Sequence, residues 1–229
     1  MSDLKKLRTL IVSFDAPMEV YQTSAFRGAV IEKVGRQHEM FHNHVGDKEF
    51  KYSYPVIQYK IIRKLPTLYC VGEGVDEIHN FFGLKNWDIN LNGKRVELKI
   101  HKLDLNTFNL NVWDKNFSYS LNNWLALNAE NYKLYQALTG LCDKVKFLER
   151  LLTGNILSFA KGVRWRIEKP ITTEITEISN QKIIRYKGVP LLAFDVSFKT
   201  NVFLPNYLGL GKSASHGFGV VKSLNKKQN

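Results

Sequence analysis

LRTLIVSFDAPMEVYQTSAFRGAVIEKV, residues 7–34, decides the fold. Leu7–Phe14 is a short apolar run with β-branched members, closed by Asp15 and Pro17, and it reads as a buried strand. Thr23 or Ser24 can then accept the first orphan amides of a helix. Beyond them AFRGAVIEKV places Phe26, Val30, Ile31 and Val34 on one helical face and leaves Arg27 and Lys33 elsewhere. A strand followed by a helix is therefore expected.

Residues 41–72, FHNHVGDKEFKYSYPVIQYKIIRKLPTLYCVG, continue as two alternating segments joined near Lys64 to Pro66, after a turn at Gly46-Asp47. Gly74–Phe82 reads as a short helix and Val96–Leu105 as an alternating strand. The resulting order, β-α-β-β-α-β, is that of the ferredoxin-like fold, which also underlies RNA-recognition modules. The Asn-rich stretch of residues 106–120 has turn chemistry and marks a boundary or crossover, so domains of residues 1–108 and 109–229 are expected. Beyond it come a strand at Tyr119–Leu127 and a helical region from Asn128 to about Ala160, interrupted at Gly140 and Gly154. VRWRI, TEITEI, QKIIRYK and LLAFDVSF follow as β segments. The expected class is α+β, with two tandem ferredoxin-like, RRM-like lobes and a C-terminal glycine-rich loop.

The chain has 229 residues, 44% apolar and 24% charged, which fits neither wholesale disorder nor a membrane class. Its 33 Lys and Arg against 21 Asp and Glu give a net charge of +12, which favours a polyanionic partner. Cys70 and Cys142 stand in unrelated apolar contexts and read as reduced packing residues. The basic start is followed by an apolar run too short for a signal-peptide core, and a cytoplasmic protein without a membrane partner is expected.

Three stretches could carry chemistry. GLGKSASHGFGVV, residues 209–221, surrounds Lys212, Ser213 and His216 with Gly209, Gly211, Gly217 and Gly219. It is not a mononucleotide loop: the first glycine of GxxxxGK[ST] falls on Asn206, and the tail leaves no room for the required helix. Glycines let backbone amides approach an anion, so either a turn before a last strand or a grip on a nucleic-acid backbone fits. FHNHV carries His42 and His44, which would share a face in an extended segment. Two imidazoles can act as base and acid in one cycle; a metal pair with His38 as third ligand, or two solvated side chains, are the alternatives. Around them lie Lys33, Arg36, Lys48, Lys51 and the tyrosines Tyr52, Tyr54 and Tyr59, of which Tyr52 and Tyr54 would lie on one strand face. Finally, Arg164 and Arg166 flank Trp165; on a strand both arginines would share one face as a phosphate-contacting rail.

Taken together, GLGKSASHGFGVVK, the preceding NVFLPNYLGLG, and RGAVIEKV with FHNHV and YSYPVIQYK resemble the b-type branch of the Cas six family, the CRISPR-associated endonucleases that process repeat RNA within a broader superfamily of repeat-associated proteins. The likeness spans nearly the whole chain. It implies two ferredoxin-like lobes that bind CRISPR repeat RNA and cut it once without metal or cofactor, by attack of a ribose 2′-hydroxyl on the adjacent phosphate. It further implies that His42 and His44 are the histidine pair, Lys33 the helix lysine and Tyr52, or Tyr54, the tyrosine of the active site. The same resemblance allows other CRISPR effector subunits and a second copy of the chain as partners. The competing class is a non-catalytic RNA-binding subunit of a CRISPR ribonucleoprotein.

Overall fold

A computed structural model describes residues 5–42 and 54–224. His44, Tyr52, Lys48, Lys51 and the Gly46-Asp47 turn lie outside the described residues. Lys6–Asn109 with Ser215–Gly217 form one compact unit; Lys5, Leu110–Ala214 and the chain from Phe218 form the other.

In the N-terminal unit, β1 (Lys5–Phe14) leads through a single 3-10 turn to α1 (Thr23–Val34) and a short turn of helix, α2 (Glu39–His42). β2 (Ile57–Ile62) and β3 (Leu65–Val71) form a hairpin, followed by two helical turns, α3 (Gly74–Glu77) and α4 (His79–Phe82). A small hairpin, β4 (Ile89–Leu91) with β5 (Lys94–Val96), precedes β6 (Ile100–Leu110). The four-stranded sheet has the order β2-β3-β1-β6, the ferredoxin-like order. Its helix side is packed with aromatic rings: Phe14 meets Phe26 and Phe81 edge-on at 6.4 and 5.9 Å, and Phe26 meets Tyr59 at 5.8 Å. The apolar positions read from α1, Phe26, Val30, Ile31 and Val34, are all buried there.

In the C-terminal unit, β7 (Val112–Trp124) is followed by α5 (Ala129–Ala137), α6 (Leu141–Gly162), β8 (Thr173–Tyr186), β9 (Val189–Val202) and β10 (Val220–Ser223). The sheet order β10-β7-β9-β8 repeats that of the first unit. Only a 3-10 turn, Ala214–His216, stands where a second crossover helix would be. α6 runs unbroken through Gly154 and buries Phe147, Leu148, Leu152, Ile156 and Phe159 on one stripe. Gly140 is its N-cap, as the break in the pattern implies.

Four expectations are corrected. His42 ends the helical turn α2 rather than an extended segment, so the shared face of an H-x-H strand does not apply to it. Tyr54 likewise precedes β2, which begins only at Ile57. The Asn-rich stretch is not a turn: it lies in β6 and β7. Asn106 donates to Asp104 at 3.0 Å along one face of β6; three residues beyond the stretch, Asn123, at φ 49°, sits at one of the two register shifts of β7 against β9. Asparagine's tolerance of the left-handed region suits a bulge as well as a turn. VRWRI is no strand either, because it closes α6. Arg164 donates its amide to Lys161 and Trp165 to Ala160, the two bonds of a Schellman motif, with Arg164 left-handed at φ 55°. The Asn92-Gly93 turn of the β4–β5 hairpin is an addition that the dipeptide itself signals.

Candidate active site

The described part of the candidate active site is built at the end of α2. A helix end leaves carbonyls without intrahelical partners, and here side chains from two other elements take them. Tyr59 of β2, wholly buried, donates its hydroxyl to the Phe41 carbonyl at 3.0 Å. Arg27 of α1 donates to the His42 carbonyl at 2.7 Å, and its guanidinium lies 5.9 Å from the centre of the Tyr59 ring. Burial pushes the Tyr59 phenol far up, so it stays a neutral donor. The His42 backbone is thus held from α1 and β2 together.

The half-buried His42 ring is also oriented. Its Nε2 lies 2.7 Å from the Arg36 carbonyl oxygen. A carbonyl only accepts, so Nε2 carries the hydrogen and the lone pair of the neutral ring sits on Nδ1. His38 is held differently, with Nδ1 3.4 Å from the Glu77 carboxylate and its ring edge-on to Phe41. Lys33, in the last turn of α1, donates to Asn86 at 2.6 Å. Tyr54 is a core residue: burial raises its pKa well above the usual phenol value, and its oxygen accepts from Gln58 Nε2 at 2.8 Å. Gln58 accepts in turn from the buried ammonium of Lys60 at 2.9 Å. Among the described residues no three His, Cys, Asp or Glu side chains converge as a metal site would require.

The residues that position His42, namely Arg27 and Tyr59, were not singled out by the sequence as a pair. The signal was present in part: Arg27 lies off the apolar face of α1, and Tyr59 faces that helix from β2.

The glycine-rich loop is closed on itself at one point and tied to the end of β7 at two others. Leu210 donates to Gly219 at 2.8 Å, Gly219 to Asn123 at 3.1 Å and Lys212 to Leu125 at 3.2 Å. Those three amides are therefore engaged within the protein and not directed at a ligand. Gly209 and Gly219 are buried, and a Cβ on Gly219 would overlap the Leu210 carbonyl oxygen. At Gly211, φ 85°, a Cβ would lie 2.7 Å from the Trp124 indole nitrogen, which donates to Asn155. These glycines serve close approach within the fold. The exposed member of the loop is Lys212; Ser213 and His216 are half-buried, and the Ser215 hydroxyl lies 3.0 Å from His216 Nδ1. Gly217 belongs to the N-terminal unit, where it lies against the Tyr59 carbonyl.

Arg164, Trp165 and Arg166 line a cleft of about 350 Å³ in the C-terminal unit, together with Lys5 and Lys169. Arg164 and Arg166 thus share a cleft wall without sharing a strand.

Comparison with known proteins covers the same two halves. Residues 5–109 match the family model of the Cas6b N-terminal domain and residues 111–224 that of the Cas6b C-terminal domain. A crystal structure of Cas6b aligns over 96% of this chain and 100% of that one, with 27% identity and a TM-score of 0.86. A second, of a CRISPR RNA processing endoribonuclease Cas6b, aligns over the same shares with 26% identity and a TM-score of 0.74. An uncharacterized protein of Methanocaldococcus jannaschii is 38% identical over 98 residues, 43% of this chain and 65% of that protein, so the chain spans just under two thirds of that relative's length. With both of its halves matched in order, the chain belongs to the Cas6b family.

Proposed function

We propose that the protein is an endoribonuclease that cuts CRISPR repeat RNA, and that it does so without a metal ion. The reading is carried by one observation: the likeness to Cas6b runs through both lobes, and one of the Cas6b structures it follows is described as a CRISPR RNA processing endoribonuclease. The net charge of +12 supports an RNA ligand.

In the proposed reaction an imidazole takes the proton of the ribose 2′-hydroxyl, and the 2′-oxygen attacks the adjacent phosphorus. The P–O5′ bond breaks as a second acid gives its proton to the leaving 5′-oxygen. The products are a 2′,3′-cyclic phosphate and a 5′-hydroxyl. His42 and His44 are the acid–base pair, Lys33 supplies a cation to the charged transition state, and Tyr52 donates a hydrogen bond to the reacting phosphate. Tyr54 is a poorer choice than Tyr52, being buried beside Gln58. The immobilised backbone and fixed tautomer of His42 suit a catalytic imidazole, which has to be held in one orientation. Arg164, Arg166, Lys212, Ser213 and His216 contribute RNA contacts. Gly209, Gly211, Gly217 and Gly219 act through the shape of the loop.

Replacing His42 and His44 together with Ala tests the catalytic assignment, by gel assay of repeat RNA cleavage beside a binding titration. Loss of cleavage with binding retained is expected; cleavage at the wild-type rate overturns the assignment and leaves a non-catalytic RNA-binding subunit. EDTA should leave the wild-type rate unchanged, and its abolition of cleavage would refute the metal-free mechanism.

A further inference from the structure

The end of α6 is unusual for the residue it uses. The C′ position of a Schellman motif takes a left-handed backbone and is ordinarily glycine, because a Cβ there is strained. This chain places Arg164 at that position, φ 55°, and follows it with Trp165 and Arg166. A non-glycine residue held in this region is a reason to look for function nearby.

What lies nearby is the 350 Å³ cleft. Its floor includes Leu110 and Val112, both buried, and its wall carries the half-buried Trp165. Four cations line it, Lys5, Arg164, Arg166 and Lys169, against the single carboxylate of Glu168. That carboxylate sits 3.8 Å from Arg166, with both side chains largely exposed, a pair that water screens and a phosphate can displace. Cations at a helix C-terminus also offset the helix dipole, but that role calls for neither an aromatic wall nor an apolar floor.

We propose that this cleft, resting on the reading of the protein as an RNA-binding enzyme, is a subsite for an unpaired nucleotide of the RNA. Trp165 stacks on the base, and the four cations meet the flanking phosphates. An aromatic wall between cations is the chemistry of single-strand binding, in which every base offers a face and the backbone supplies the charge. A duplex keeps its bases stacked on one another and could present only its phosphates to a recess of this size.

The test uses the full chain and two fluorescent probes: hexauridylate, and a model RNA hairpin made with and without single-stranded flanks. Fluorescence anisotropy gives Kd, and thermal unfolding gives Tm for each variant. Wild type should bind hexauridylate, and Trp165→Ala should weaken that binding about 5–150-fold, the range for losing one stacked base. Trp165→Phe should retain most of it. The same Trp165→Ala change should weaken the flanked hairpin and leave the blunt hairpin unaffected. Arg164→Gly should weaken hexauridylate while raising Tm by about 2–4 °C, since glycine relieves the left-handed backbone. That trade keeps the proposal testable even if Trp165→Ala fails to fold. No binding of hexauridylate by wild type, or equal losses on flanked and blunt hairpins, overturns the subsite. Cleavage of repeat RNA by wild type is scored separately: its absence refutes the enzymatic reading, and its presence with an unaltered Trp165→Ala titration refutes the subsite alone.

Discussion

Replacing Lys60 with Met should stabilise the protein most near neutral pH, and the gain should shrink as the pH rises. Lys60 is 2% exposed, and the partners of its ammonium are the Gln58 amide oxygen at 2.9 Å and the face of the Tyr69 ring, 5.7 Å from its centre. Burial pulls its pKa from the ordinary 10.5 down to about 7. A folded-state pKa depressed in a base means that the unfolded chain binds more protons between those two values, so stability rises with pH across that window. Below about pH 7 both states are protonated and the full penalty applies. The shift corresponds to a cost of about 4 kcal/mol at pH 7.5, falling to about 1 kcal/mol at pH 9.5. Lys60→Met removes this term together with the hydrogen bond to the Gln58 oxygen, a pH-independent loss of about 1–3 kcal/mol. The diagnostic quantity is therefore the slope. Urea denaturation followed by circular dichroism at pH 7.5 and 9.5 should show wild-type stability rising relative to the variant by about 2–3 kcal/mol. The buried phenols of Tyr59 and Tyr69 are common to both proteins and cancel in this difference. A difference that stays constant across the two pH values would show that Lys60 is not titrating with a depressed pKa in the folded protein.

Gly219→Ala should destabilise by about 2–4 kcal/mol, read as a fall in Tm, because its Cβ has nowhere to go beside the Leu210 carbonyl. Gly154→Ala is the converse: open space surrounds it in the middle of α6, and a gain of about 0.5–1 kcal/mol is expected in the same assay. Asp195 accepts from the Asn123 amide at 2.6 Å, Lys182 at 3.0 Å and Asn180 at 3.2 Å. Burial raises its pKa, but these bonds outweigh it and hold the carboxyl below its usual value. The stabilisation is present above the unfolded carboxyl pKa and is lost as pH falls through the folded one. Asp195→Asn should thus cost about 1–3 kcal/mol at pH 7, with the gap closing below about pH 4.

Much of the fold could be read from local pattern. The apolar run at Leu7–Phe14 and the helical face of Phe26, Val30, Ile31 and Val34 became β1 and α1, since both signals are dense and bounded by strong punctuation. The failures share a cause. Val163–Ile167 alternates like a strand, but it caps α6, and an arginine holds the position at which a glycine would have signalled the helix end. The asparagines of residues 106–120 carry turn chemistry, but long-range pairing of β6 beside β1 and of β7 with β9 draws them into strands. His42 was legible as a candidate, whereas its supports come from a distance in sequence: Arg27 bonds His42 from 15 residues away and Tyr59 bonds the neighbouring Phe41 from 18.

The proposed nucleophile is the RNA's own 2′-hydroxyl. A repeat RNA with one 2′-deoxy substitution at the scissile nucleotide should bind with nearly unchanged affinity, since every phosphate contact remains, and should not be cut. Cleavage of that RNA at the deoxy-substituted nucleotide, at a rate near that of the all-ribose substrate, would contradict the mechanism.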